Sequence, residues 1–272
     1  MIERSTLIQT LREALLATPG VDAAWEGGSA AFGTDDPWSD VDAVAVAADD
    51  AIDDVFAAVQ AALESLSPIA LRYDVPGTAG YSQKFYRLRD AGEFLVVDLV
   101  LIRRSDPLLF REVELHGQGT TWFDRRGLLA ERHLDMADDA AKARARVPVL
   151  NAAFQMFQHI VTKERLRGRA VEALTFYQAM TLRPLIEAVR LLHAPHTRIF
   201  GPRYLARDLP PAACERIEHL SFVRDLLDLA AKHEEARFWF EGCMARLQTQ
   251  GPGAGLEGLV DGRQRRAQFP PA

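Results

Sequence analysis

In the first half of the chain, apolar positions gather into short runs between turn residues. In the second half they recur at helical spacing. Leu7-Ile8, Leu11 and Leu15-Leu16 make one face of a first helix, with Ser5 as its cap and Pro19-Gly20 as its stop. Residues 21–26 predict a short strand, and Ala43-Val44-Ala45-Val46-Ala47 predicts a strand running into a core. Asp49-Asp50 opens a second helix through Val55-Phe56, Val59 and Leu63, its acidic start matched to the positive end of the helix dipole. Strands are predicted over 69–75 and 83–88. A turn at Asp90-Ala91-Gly92 leads into the run Phe94-Leu95-Val96-Val97-Asp98-Leu99-Val100-Leu101-Ile102, and 120–124 makes one more strand.

From about Leu128 the strand-like alternation ends and helices are predicted over 138–165, 170–192, 212–232 and 235–248, punctuated by Pro195, Gly201-Pro202 and Pro210-Pro211. Gly251-Pro252-Gly253-Ala254-Gly255 begins a Gly/Pro-rich end with few anchors, expected to be loosely packed. The prediction is an α+β protein. Residues 1–127 form a mixed sheet flanked by helices, residues 128–250 an α-helical bundle, and residues 251–272 a tail.

Composition narrows the function. The 272 residues are 48% hydrophobic and 26% charged, ordinary for a soluble globular protein. A net charge of −6 argues against a polymerase or an RNA-modifying enzyme, which need basic surface for a phosphate backbone, so no nucleic-acid partner is expected. Cys214 and Cys243 have neither metal-site nor disulfide spacing and are expected to be buried free thiols. Met1-Ile2-Glu3-Arg4-Ser5 lacks a signal-peptide pattern and no apolar run reaches spanning length, so a cytoplasmic protein without a membrane partner is expected.

The candidate chemistry sits between the first two strands. Gly27-Gly28-Ser29-Ala30-Ala31-Phe32-Gly33 is a small-residue turn whose backbone N–H groups can cradle a phosphate. It is followed by Ser39-Asp40-Val41-Asp42, and two Asp one residue apart on a strand point the same way. A phosphate cradle feeding two parallel carboxylates suits a magnesium–triphosphate complex. Asp98 stands alone in an apolar strand, where an ionised carboxylate is costly to bury unpaired. Two carboxylates about 4 Å apart repel by roughly 4 kcal/mol at an effective dielectric near 20. A fold that gathers three is therefore expected to hold at least one raised pKa without a cation.

Taken in order, Gly28-Ser29, Gly33 and Ser39-Asp40-Val41-Asp42, with Asp98 on a later strand, resemble the signature of the DNA-polymerase-β-like nucleotidyltransferase superfamily. The nearest branch acts on small molecules and includes aminoglycoside nucleotidyltransferases with a helical second domain. The resemblance covers the first half of the chain. It implies Asp40 and Asp42 as metal ligands, Asp98 as third ligand and candidate general base, two Mg²⁺ ions, and ATP or another nucleoside triphosphate as co-substrate. Gly28 and Ser29 would hold the terminal phosphates, while Gly33 would permit close packing or an unusual backbone angle rather than contact the ligand.

In the helical half, Lys163 or Arg167 is the candidate to reach triphosphate oxygens, with a solvated helix end as the alternative reading. Lys84 and Arg87 are similar cases. Glu164, Glu172 and Glu187 are open choices for contacting a cationic acceptor. Arg190 and His196 are spaced similarly to a ribonuclease-toxin motif, yet Pro195 interrupts the helix that motif needs. The expected function is transfer of a nucleoside monophosphate, AMP from ATP, to a hydroxyl of a small molecule, the best-known acceptor type being an aminoglycoside-like antibiotic. The alternatives are modification of a protein side chain, as in antitoxin-like nucleotidyltransferases, and a nucleotide-binding module without catalysis. Both a monomer and a homodimer fit the resemblance.

Overall fold

The computed structural model describes residues 1–77, 80–106, 110–256 and 259. The chain divides into two compact units, Met1–Leu134 and Asp135–Ala272. In the first, the order is α1 (Arg4–Ala17), β1 (Val21–Glu26), a 3₁₀ turn (Ala30–Phe32), β2 (Val41–Ala47), α2 (Ile52–Leu66), β3 (Ile69–Asp74), β4 (Tyr81–Leu88), β5 (Val96–Arg103), α3 (Val113–His116) and β6 (Thr120–Asp124). The six strands lie in the order β3-β4-β5-β2-β1-β6. Among the described strands only the central β2–β5 pair is parallel; the others are antiparallel. This is the α+β architecture with a mixed sheet that the sequence predicts.

The side-chain alternation of β2 and β5 sorts the sheet into two faces. Val41, Ala43, Ala45 and Ala47, with Val97, Leu99 and Leu101, pack with Leu7, Leu11 and Leu15 of α1 and Val55, Phe56, Val59 and Leu63 of α2. The opposite face carries Val44, Val46 and Ile102 in a smaller cluster with Trp25. Asp42 and Asp98 belong to that second face by the same period of two. The helix-covered face therefore supplies the core, and the other is left for chemistry.

The first unit extends past the predicted boundary at Gly127. Asp124 draws the chain back by accepting from the backbone N–H groups of Leu128 and Leu129 at 3.0 and 2.8 Å, and Leu134 N–H donates to Glu114 at 3.0 Å. The second unit comprises α4 (Met136–Leu166), α5 (Ala170–Tyr177), a π-helical turn (Gln178–Leu182), α6 (Arg183–His193), a 3₁₀ turn (Pro195–Phe200), α7 (Leu205–Asp208), α8 (Pro211–Ser221) and α9 (Leu226–Gln250). Its core includes Phe154 stacked on Phe240 with ring centroids 3.6 Å apart.

Two helix predictions need correction. The break expected near residue 233 falls earlier, because Asp225 caps α9 by accepting from Leu227 and Asp228 N–H, and α9 then runs unbroken to Gln250. Ser5 lies inside α1, whose N-cap is Glu3. The first residues of the tail are also anchored, since Gly253 and Gly255 N–H donate to Leu191 and Leu192 carbonyls and Leu256 is buried. The remainder of the tail, apart from Leu259, lies outside the described residues. Among the described residues no helix is long and apolar enough to cross a membrane.

Candidate active site

Parallel pairing of β2 with β5 sets Asp42 directly beside Asp98. Neighbouring strands lie about 4.8 Å apart and paired residues project to the same face, so the two carboxylates share one patch of the open face. Asp40 precedes β2 by one residue. Its field, and that of Asp98, reaches Asp42.

The electrostatics are those of acids short of a cation. Burial pushes the Asp42 carboxyl up to about 7, with repulsion from Asp40, Asp98 and Glu26 adding to it and Arg4 opposing it. Among the described residues, the Asp42 carboxylate accepts no hydrogen bond and forms no ion pair. Burial likewise raises Asp98 to about 6, against a hydrogen bond from Gln83 that pulls it down, with Asp40 raising it further. Gln83 sits on β4 two residues from Phe85, the partner of Asp98, and therefore on the same face. Its Nε2 donates to Asp98 Oδ1 and Oδ2 at 2.8 and 2.9 Å.

The turn after β1 is pressed onto this pair. Gly27 N–H donates to the Asp42 carbonyl at 2.9 Å. Gly28 then takes φ +57°, and a Cβ placed there would collide with the Asp42 carboxylate and stand 3.0 Å from its Cβ. Glycine is thus required twice at this position, for its backbone angle and for the close approach. The N–H groups of Gly28, Ser29 and Ala30 have no acceptor among the described residues. Ser29 Oγ is 3.3 Å from Ser39 Oγ, which in turn bonds Asp36, so the turn is tied to the approach to β2. Gly33 has φ +64° and nothing lies within 4 Å of a Cβ placed there, so of its two expected reasons the backbone angle holds and close packing does not.

Two supports were not visible in the sequence. Arg4, in the first turn of α1, pairs with the buried Glu26 at the end of β1 and donates Nε to the Asp40 carbonyl at 3.1 Å. One guanidinium thus joins the exit of β1 to the entry of β2. Burial raises the Glu26 carboxyl, with Arg4 pulling it back. Behind the turn, Gly117 approaches Ala31 so closely that a Cβ would lie 2.5 Å from the Ala31 carbonyl oxygen. Lys84, by contrast, is turned to the helix-covered face, 4.4 Å above the Phe56 ring and 3.4 Å from Asp74. Arg87 is exposed on β4.

The donor set at the patch is all oxygen, which suits Mg²⁺. Among the described residues no three His, Cys, Asp or Glu side chains form a metal cage by themselves. Magnesium, however, usually takes one or two carboxylates and completes its octahedron with water and substrate phosphates. The unpartnered, near-neutral Asp42 carboxyl beside Asp98 fits that partial role.

In the second unit, Lys163 and Arg167 flank the buried Glu164, at 4.0 and 2.8 Å, and Arg169 joins them at 3.2 Å. Both line a cavity of about 730 Å³ with Gln155, His159, Thr162 and Arg237. Gln158, at its floor, is fully committed. Its Nε2 donates to the Phe154 and Met180 carbonyls, and its Oε1 lies within bonding distance of Thr181 and His233. Glu187 is already held by Arg146 at 2.6 Å, so neither it nor Glu164 is free for a cationic ligand. Arg190 is fully buried and bonds Asp208, Thr197 and the carbonyls of Gly201 and Arg203. It organises the 195–208 segment and has no exposed guanidinium to offer a phosphodiester.

No protein-family model matches the chain, and no curated protein does. Similar solved structures exist. One is a nucleotidyltransferase-like protein from Exiguobacterium sibiricum, 14% identical, with a TM-score of 0.39 over 92% of this chain and 77% of that one. Another is the spectinomycin adenyltransferase AAD(9) from Enterococcus faecialis, solved with ATP and spectinomycin, 10% identical, with a TM-score of 0.35 over 90% of this chain and all of that one. Identities and scores this low leave the functional reading to the residues of this chain.

Proposed function

We propose that this protein is a nucleotidyltransferase that moves a nucleoside monophosphate, AMP from ATP, to a hydroxyl of a small molecule. The observation that carries the reading is the packing of the Gly28 backbone against Asp42 while Asp42 stands in register with Asp98. A turn with three N–H groups unpaired among the described residues, beside two cation-deficient carboxylates, is matched to a polyphosphate and its counter-ion.

Asp40, Asp42 and Asp98 would hold Mg²⁺, which when bound neutralises phosphate charge and makes the acceptor hydroxyl more acidic. The N–H groups of Gly28, Ser29 and Ala30, with the Ser29 hydroxyl, bind the terminal phosphate oxygens of the triphosphate. Within the second unit, Lys163 and Arg167 are the candidates for contact with phosphate oxygens, supported by the cationic lining of their cavity. In the transfer, the acceptor oxygen forms a bond to the α-phosphorus and the bond to the departing pyrophosphate breaks. Asp98 takes the hydroxyl proton. In the metal-free chain burial raises its carboxyl to about 6, so it is largely ionised at neutral pH and able to accept a proton. Gln83 orients that carboxylate, and Arg4 fixes the strand ends from which Asp40 and Asp42 project.

The test crosses a panel of nucleoside triphosphates with hydroxylated small molecules in Mg²⁺ and monitors pyrophosphate release and the mass of the acceptor. Acceptor heavier by one nucleotide is the expected result. If no triphosphate binds in Mg²⁺ or raises the melting temperature, the reading is wrong.

A further inference from the structure

The sheet of the first unit ends on β3, an exposed strand whose outer edge has no partner among the described residues. Its hydrogen bonding fixes which residues face outward. Val75 N–H donates to the Gln83 carbonyl at 3.0 Å, and Tyr73 is paired with Phe85. Antiparallel pairs alternate between hydrogen-bonded and non-hydrogen-bonded. Tyr73 and Val75 therefore direct their main-chain groups to β4, while Arg72 and Asp74 present theirs outward. The N–H groups of Arg72 and Asp74 accordingly find no acceptor among the described residues.

Exposed edges invite pairing with another chain, and proteins commonly block this with like charges, which repel when a strand meets its own copy. β3 does the reverse. The two outward residues, Arg72 and Asp74, carry opposite charges. The other side of the strand exposes Leu71 and Tyr73, at 58% and 56% of their surface. Pro68 and Pro76 flank the strand and limit how far any pairing extends.

We infer that β3 pairs antiparallel with β3 of a second copy of this chain, about a two-fold axis through Tyr73. In this register Arg72 opposes Asp74 of the second copy, and the reverse holds across the axis. Each pair exchanges both main-chain hydrogen bonds, giving four in total, with an ion pair above each. Within one copy Arg72 pairs with Asp74 at 2.9 Å and also meets Gln60, while Asp74 also meets Lys84 at 3.4 Å, so the cross-copy pairs replace the Arg72–Asp74 contact. Tyr73 meets its own copy at a non-hydrogen-bonded position, where side chains are closest, and Leu71 lies opposite Val75. Centring the axis on Arg72 or Asp74 instead would set like charges face to face, so charge selects the Tyr73 register. The interface is isologous and closes on itself. It stands apart from the nucleotide chemistry and uses none of its residues.

Sedimentation velocity on the full chain should show a concentration-dependent dimer. Arg72→Asp should weaken it by roughly tenfold or more, since two favourable cross-strand pairs become repulsive. The double variant Arg72→Asp with Asp74→Arg should restore it. With oxidised glutathione, Tyr73→Cys should cross-link two copies, because opposed non-hydrogen-bonded residues have Cα atoms about 4.5 Å apart, within disulfide range. Leu71→Cys should not. A protein that stays monomeric, a dimer indifferent to Arg72→Asp, a charge swap that fails to restore it, or cross-linking through Leu71→Cys would each overturn the inference. Far-ultraviolet circular dichroism of each variant confirms that the fold is retained.

Discussion

Replacing Asp42 with Asn should stabilise the metal-free protein while abolishing turnover, a pairing of effects that an ordinary core residue would not give. In the folded chain the Asp42 carboxyl is raised from 3.8 to about 7, first by burial and then by its acidic neighbours. Each pH unit of displacement is worth about 1.4 kcal/mol, so once ionised this carboxylate costs the folded state about 4 kcal/mol. The sign follows from proton binding. Between about pH 4 and pH 7 the folded state holds a proton at Asp42 that the unfolded state has released, so stability falls as pH rises through that window. Above about pH 7 the cost is complete. Asn keeps the shape and carries no charge, so the variant should lose this pH dependence. Near pH 4 the two proteins should have similar stability, and at about pH 8 the variant should melt roughly 10 °C higher, at a few degrees per kcal/mol. Urea and thermal denaturation followed by circular dichroism, without divalent cations, measure both limbs. Added Mg²⁺ with ATP should close the gap by stabilising the wild type alone. If Asp42→Asn is less stable at every pH, or if the difference does not change with pH, the carboxylate is not the strained, cation-seeking group described above.

Other consequences are as direct. Gly28→Ala places a methyl group against the Asp42 carboxylate at a left-handed backbone angle; it should lower stability by roughly 1–3 kcal/mol and reduce nucleotide affinity, measurable by denaturation and by isothermal titration with ATP and Mg²⁺. Gln83→Leu removes the donor that pulls Asp98 down. The acid limb of the kcat/KM profile should then move to higher pH, an effect that simple loss of packing would not produce. Arg190→Met leaves the Gly201 and Arg203 carbonyls without their donor and takes one of two cations from Asp208. It should destabilise the second unit by about 3 kcal/mol while the first unit still binds nucleotide, with calorimetry separating the two transitions.

The sheet was largely legible because its central strands carry an unmistakable period. Val41 to Ala47 is an apolar run buried at every position but Asp42, with one side on the helices and the other, beyond Asp42, on the small Trp25 cluster, and Thr120–Asp124 lies where turn residues on either side confine it. The second unit was legible as helical, but its punctuation was not. Asp225 is one acid among several in that stretch, and only the backbone shows that it caps a helix while Phe222 ends the preceding one. Residues 128–134 also looked like the start of the helical half. What assigns them to the sheet unit is a set of backbone hydrogen bonds to Asp124 and Glu114, for which composition carries no signal.

At the site, the divide between what could and could not be read follows chain distance. Gly28, Ser29, Asp40 and Asp42 lie within one short segment, so spacing alone suggests that they meet. Placing Asp98 beside Asp42 depends on β5 running parallel to β2 at a particular register, and a shift of one residue would send Asp98 into the helix-covered core. Gln83 depends on that register and on a second one, between β4 and β5. Arg4 is further removed still, because α1 must dock before its first turn can reach Glu26 and the Asp40 carbonyl. Each added pairing is a long-range choice that the hydrophobic pattern constrains only in parity. The acids can therefore be nominated from sequence, whereas the amide and guanidinium that hold them emerge only when the strands are aligned.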